Sequence, residues 1–276
     1  MKVALDIVPF TRTIWKTESK ENLWQDRLNR ISSMFTQAEY LTVKNGYRDV
    51  ATIHVDMDNG LDILSRIAVD GLVFLPIAVS AKYQGFSHRH IAPAPNQDRF
   101  IYGVLARDKD TAMKFKIASN DSNKVHLEVG KMLGYPECCT IAFNDRWKRG
   151  KIDPMWEAAI ATGTKEVSEP MEDEGYVHYI TIKPYVECNQ LLRYFGIRLT
   201  SHLPCSFQCN RTKDMAWYWK DTMRSIDRKA YLWLIKLLSM PLEWNAYRGI
   251  LQVNTNLFLG VTTTGYTEDK YIIRVT

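Results

Sequence analysis

The first 137 residues contain no cysteine, and none follows position 209. No apolar run approaches the roughly 18 to 20 residues that a membrane span requires. Internal repeats and low-complexity linkers are also missing, so one domain is expected over residues 1–276. There is no Gly-rich phosphate loop, no G-x-S-x-G elbow and no dinucleotide fingerprint, and three large groups of enzymes lose their usual signature. The opening stretch, MKVALDIVPFTRTIWK, is only briefly apolar and is broken by Asp6 and Pro9. It reads as a first strand over residues 1–7 and not as a signal peptide, and a cytoplasmic location is expected.

Of the 276 residues, 46% are hydrophobic and 24% charged, ordinary values for a packed globular chain. The formal net charge of +5 is a mild surplus without a long basic block. Its small clusters, RWKRGK and NRTK, read as solvated surface, while the mild positive charge and the Arg/His-rich GFSHRH loop favour an anionic or heteroaromatic small molecule. A nucleic-acid partner is the weaker reading, and no membrane partner is expected.

The pattern predicts a mixed α+β fold in three parts: mixed α/β over 1–120, a helical cysteine-bearing centre over 121–240, and a β meander over 241–276. A helix is expected over 21–40 from the spacing of Leu23, Leu28, Ile31, Met34 and Phe35. Strands are expected at 50–55, LVFLPIAVS and FIYGVLARD, with a short helix after HVDMDNG capped by Asn59 and stopped by Gly71. Asp56 and Asp58 resemble the start of a calcium loop, but the following spacing does not fit, and they read as helix-capping groups. YQGFSHRHIAPAPNQDRF reads as a loop. Two helices follow, from Asp110 and up to Gly134, and Pro136 suits the first turn of another, because its missing N–H would be unpaired there anyway. KEVSEPMEDEG reads as a solvated loop. PYVECNQLLRYFG reads as a short helix ending at Gly196, and Pro204 as the start of a helix through CSFQC.

The five cysteines stand at 138, 139, 188, 205 and 209. In a cytosolic chain, clustered cysteines favour metal binding or catalysis over disulfides. LGYPECCT and HLPCSFQC both set cysteines just after a proline. A helix N-terminus favours the thiolate, which both metal binding and nucleophilic attack require. On a helix, Cys205 and Cys209 would share a face and chelate one ion. Cys138 and Cys139 would diverge by about 100°, so different jobs are expected of them. The expected ligands are Cys139, His202, Cys205 and Cys209 around zinc. Glu137, His88, His90 and Cys138 are then candidates for acid–base or nucleophilic work. His88 and His90 form an H-x-H that in an extended segment points both rings to one side. Glu137 is equally explained as a favourable charge in a first helical turn. Four thiolates at 138, 139, 205 and 209 would instead suit an iron–sulfur cluster. The spacing matches neither zinc ribbons nor the cytidine-deaminase signature. Cys188 reads as core filling, and His54, His126 and His178 as ordinary.

GFSHRH, IYGVLARD, LGYPECC and NQLLRYFGIRLTSHLPCSFQC resemble an uncharacterised prokaryotic and phage family. Its members pair a G-Y-P-x-C-C helix with a downstream H-x-P-C-x-x-x-C helix. The resemblance covers roughly residues 85–215, supplies no reaction, and implies that Cys138, Cys139, His202, Cys205 and Cys209 share one site. The expected function is therefore a zinc-dependent enzyme acting on a small anionic or heteroaromatic substrate, with a modified nucleobase or nucleotide as an example. The alternatives are an iron–sulfur protein and a non-enzymatic, zinc-stapled binding module.

Overall fold

The computed structural model describes residues 10–81, 93, 98–120, 125–148, 154–163, 165–172, 175–265 and 267–276. The strand expected over 1–7 and the loop bearing His88 and His90 lie outside them. The first described strand is β1 (Thr11–Trp15), followed by the long helix α1 (Glu18–Lys44). Thr17 caps α1 by accepting from the Lys20 N–H at 3.2 Å, and Glu18 and Glu21 complement the positive end of the helix. The apolar spacing seen in the sequence becomes its buried stripe, with Trp24, Ile31, Met34, Phe35 and Ala38 in the main core.

Strands β2 (Val50–Asp56), β3 (Val73–Ser80) and β4 (Phe100–Ala106) form an antiparallel sheet in the order β2-β4-β3, with helix α2 (Leu61–Val69) between β2 and β3. The Asp56 carboxylate accepts from the Asp58 and Asn59 N–H groups ahead of α2, so the capping role read for it falls on the turn before the helix. Strand β4 is buried on both faces. Leu105 joins Tyr40 and Val43 of α1 on one side, while Val104 and Ala106 meet Phe115 and Val129 on the other. A central strand covered twice needs an almost unbroken apolar run, which FIYGVLA supplies.

Helices α3 (Lys109–Asn120) and α4 (Val125–Met132) cover that second face, and α5 (Glu137–Lys148) packs on α4 and carries the tandem cysteines. Helices α4 and α5 meet closely, since a Cβ on Gly130 would stand 2.5 Å from Thr140 Cγ2. Gly130→Ala is therefore expected to cost about 1–3 kcal/mol despite the better helix propensity of alanine. Thr140→Ala in the same chain should recover most of the loss in urea unfolding. Strictly additive effects would show that the two helices part freely.

Next come α6 (Pro154–Ile160), β5 (Val167–Pro170) and β6 (Tyr176–Ile182). The acidic stretch read as a loop thus contains an exposed edge strand, with Val167–Pro170 paired antiparallel to β6. Residues 184–196 form two short 3-10 turns, Val186–Cys188 and Arg193–Phe195, and not the single helix expected. The Asn189 and Gln190 side chains bond the backbone at Leu191, Leu238 and Thr200, which competes with helical pairing. Gly196, at φ +77°, does end the segment.

The chain continues through α7 (Asn210–Met215), α8 (Trp217–Ile226) and α9 (Arg228–Leu238). Asp227 caps α9 and binds Arg30 of α1 at 2.6 Å, tying the start of α9 to α1. Strands β7 (Leu242–Tyr247), β8 (Ile250–Asn254), β9 (Phe258–Thr263) and β10 (Lys270–Val275) close the fold. The expected meander is part of a seven-stranded sheet, β1-β9-β8-β7-β10-β6-β5, in which β10 pairs antiparallel with β7 and parallel with β6. Its inward side chains, such as Trp244, meet α1, α8 and α9 in the main core. The result is a mixed α+β fold with two sheets; Cys138 and Cys139 sit on the connection from the small sheet to the large one, and Cys188, Cys205 and Cys209 between β6 and β7 of the large sheet.

Candidate metal centre

Gly134, in the left-handed region at φ +72°, ends the α4 segment, and the chain restarts at Pro136. The Pro136 carbonyl accepts from the Cys139 and Thr140 N–H groups at 2.9 and 3.0 Å, which places both tandem cysteines in the first turn of α5. The second arm, residues 203–209, is not the helix expected from Pro204. The Arg146 guanidinium takes the Pro204 and Cys205 carbonyls at 3.4 and 2.5 Å, and these are acceptors a helix would need. The Cys205 N–H points at Cys139 Sγ (3.3 Å) and the Phe207 N–H at the Thr162 hydroxyl (3.0 Å). Helix α7 starts only after Cys209, whose sulfur accepts from the Thr212 N–H at 3.4 Å as its N-cap. Cys205 and Cys209 are therefore loop and cap residues rather than neighbours on one helical face.

Four sulfurs converge. The Sγ atoms of Cys138, Cys139, Cys205 and Cys209 all lie within 4.8 Å of one another. Cys138 stands 3.8 Å from Cys139 and 3.8 Å from Cys209, and Cys139 stands 3.6 Å from Cys209. The tandem cysteines thus point to one place, contrary to the divergence expected of them. Side chains of a first turn lean toward the helix N-terminus. A centre lying beyond the end of α5 is therefore within reach of both neighbours, although a centre beside the helix would not be.

No family model, curated protein or solved structure matches this chain. What the cluster can do must come from its chemistry. Crowding four thiols makes their protons interdependent. Hydrogen bonds from Cys139 and Cys205, and then from Thr212, pull the Cys209 thiol far below its usual range. The bonds to Cys205 and Cys209, with burial added, push Cys139 well up. For Cys205 the bond with Cys139 lowers the pKa, but the bond with Cys209 and burial outweigh it and leave the thiol at about 11. One thiolate is thus easy to hold and four are not, because like charges this close oppose each other unless a cation sits among them. The residues form a set that could hold a metal ion.

His202, expected as a ligand, lies beside this set and not in it. Its Nε2 is 2.9 Å from the Thr212 hydroxyl, which in turn lies 3.3 Å from Cys139 Sγ. Burial drives the His202 pKa down to about 3. Its place among the four is taken by Cys138. Glu137 is exposed in the first turn of α5. Cys188 is fully buried beneath the cluster, and its thiol donates to the Cys209 carbonyl at 3.5 Å. His178, read as ordinary, binds Glu166 and Ser168 on the β5–β6 edge at 2.8 and 2.9 Å. Sequence reasoning missed Thr212 and Arg146. Thr212 stood three residues after Cys209, the spacing of a capped N–H, and could have been found. Arg146 looked like one of a surface basic cluster.

Proposed function

We propose that the chain is a zinc protein whose single centre is made by the thiolates of Cys138, Cys139, Cys205 and Cys209. One observation carries this reading: the 3.6–3.8 Å separations among three of the sulfurs. Ligands at about 2.3 Å from one tetrahedral ion stand about 3.8 Å apart. An iron–sulfur cluster distributes its thiolates over several irons, which spreads the sulfurs further. Four protein ligands complete the tetrahedral shell of a structural zinc, and this centre would clamp the start of α5 to the loop ahead of α7. Protein purified without chelator should carry one zinc per chain by elemental analysis. A coloured protein containing iron, or a metal-free protein with every thiol titratable, would overturn the reading.

A second reading has its own support. Cys138 and Cys205 keep part of their surface in solvent. A thiolate on zinc that remains reachable can act as a nucleophile, as an enzyme on a small anionic or heteroaromatic substrate would require. Rapid iodoacetamide labelling of one of these cysteines in the metal-loaded protein supports the enzyme. Protection of all four supports the closed centre.

A further inference from the structure

The four cysteines lean on one threonine from two sides. Thr212 gives its backbone N–H to Cys209 Sγ at 3.4 Å, and its hydroxyl lies 3.3 Å from Cys139 Sγ. One residue therefore touches a sulfur from each arm of the cluster, Cys139 in the first turn of α5 and Cys209 at the cap of α7. The same hydroxyl lies 2.9 Å from His202 Nε2. Cys139, His202 and Thr212 are 2%, 4% and 0% exposed, so bulk water does not compete for these bonds.

Once the sulfurs hold a metal, the protons along this row have one order. A metal-bound thiolate carries no proton and can only accept a hydrogen bond. A hydroxyl has a single proton to give, and a neutral imidazole has one N–H and one bare nitrogen. Thr212 Oγ1 must therefore donate to Cys139 Sγ and accept from His202, which places the imidazole proton on Nε2. The other nitrogen, Nδ1, is then a lone pair. Nδ1 is the atom found buried with no hydrogen-bond partner among the described residues. The reverse order would bury an N–H at that spot with nothing to accept it, and would turn a hydroxyl lone pair toward the thiolate. Both changes are unfavourable. Burial, with Arg193 and Arg48 facing the ring, keeps it neutral against the pull of Cys209.

We propose that Thr212 and His202 are positioning residues of the metal centre: the His202 Nε2–H holds the Thr212 hydroxyl, and that hydroxyl holds the Cys139 thiolate in place as a ligand. The inference rests on the four-thiolate reading of the centre. It explains why a histidine stands beside the cysteines without joining them. It also sets the tandem cysteines apart. Cys139 Sγ accepts from the Thr212 hydroxyl and from the Cys205 N–H at 3.3 Å, whereas among the described residues Cys138 Sγ has only sulfurs within hydrogen-bond reach. Hydrogen bonds lower the energy of sulfur lone pairs, so Cys139 gives less charge to the metal and Cys138 more. Partners of this outer kind fix the orientation of a ligand and tune the ion.

The test replaces zinc by cobalt(II) in the full chain, because sulfur-to-cobalt charge-transfer bands report the energy of the thiolate lone pairs. The unaltered chain should show these bands on binding cobalt. Thr212→Val keeps the N–H to Cys209 and removes only the hydroxyl. It should move the bands to lower energy and weaken cobalt binding about tenfold or more, the usual effect of losing an outer partner of a ligand. Thr212→Ser should restore both. His202→Leu should act in the same direction but less, since the hydroxyl can still donate, and His202→Gln, which keeps an N–H donor, should restore the bands. His202→Leu should add nothing in the Thr212→Val background, because the histidine acts through the hydroxyl. If the variants fail to fold, nitrogen NMR of the unaltered, zinc-loaded chain decides: His202 should be neutral with its proton on Nε2. A proton on Nδ1, unchanged bands and affinity in a folded Thr212→Val, or additive effects of the two substitutions would overturn the proposal. Absence of charge-transfer bands from the unaltered chain would overturn the thiolate centre itself, and this proposal with it.

Discussion

Cys209→Ser is expected to release the metal and to lower the melting temperature by about 10 °C or more. Cys209 lies against both tandem sulfurs and caps α7 through the Thr212 N–H. Because metal binding is folding free energy, losing a ligand should remove several kcal/mol, and a chain of this size melts about 2–4 °C lower per kcal/mol. Cys138→Ser and Cys139→Ser should both lose metal, because both sulfurs belong to the convergent set. Cys188→Ser should keep it, since among the described residues that thiol lies outside the convergent set and donates to the Cys209 carbonyl. Metal content and thermal unfolding of the four variants separate these outcomes. Full metal retention by Cys138→Ser would sink the four-thiolate centre and leave three ligands with an open position, the arrangement of a catalytic zinc.

Trp219→Ala should cost about 3–5 kcal/mol, the usual penalty for emptying a buried tryptophan site. Its ring is fully buried and stacks on Phe35 of α1 with centroids 5.3 Å apart and planes 11° from parallel. Arg48 covers Trp219 at 4.8 Å and Arg198 covers Phe35 at 4.0 Å, so two arginines enclose two rings. Truncation therefore removes a cation–π partner as well as the packing of α8 on α1. Trp217→Ala, two residues earlier, is the control. That ring is 52% exposed, and its loss should cost about 1 kcal/mol or less, despite its edge contact with Tyr47. Urea midpoints of the two variants check the contrast, and equal losses would mean that the four-layer stack adds nothing.

Local chemistry alone determined much of this protein. The apolar spacing of α1, the unbroken run of β4 and the restart at Pro136 each encode an element through its nearest neighbours in sequence. The association of the tandem cysteines with Cys205 and Cys209 was legible for a similar reason: thiols are rare, and clustered ones have few uses. Whether Cys138 or His202 joins the four was not legible. It depends on where the 203–209 loop lies relative to the end of α5, and Arg146 and Thr162 hold that loop from other elements. The parallel pairing of β10 with β6 was hidden too, because strand order is a long-range choice that alternation along one strand does not record. The buried arginines were the least visible of all. A long charged side chain reads as surface, and only tertiary structure decided that Arg48 and Arg193 lie inside, with Arg48 on the ring of the distant Trp219 and both arginines on backbone carbonyls eight or nine residues away.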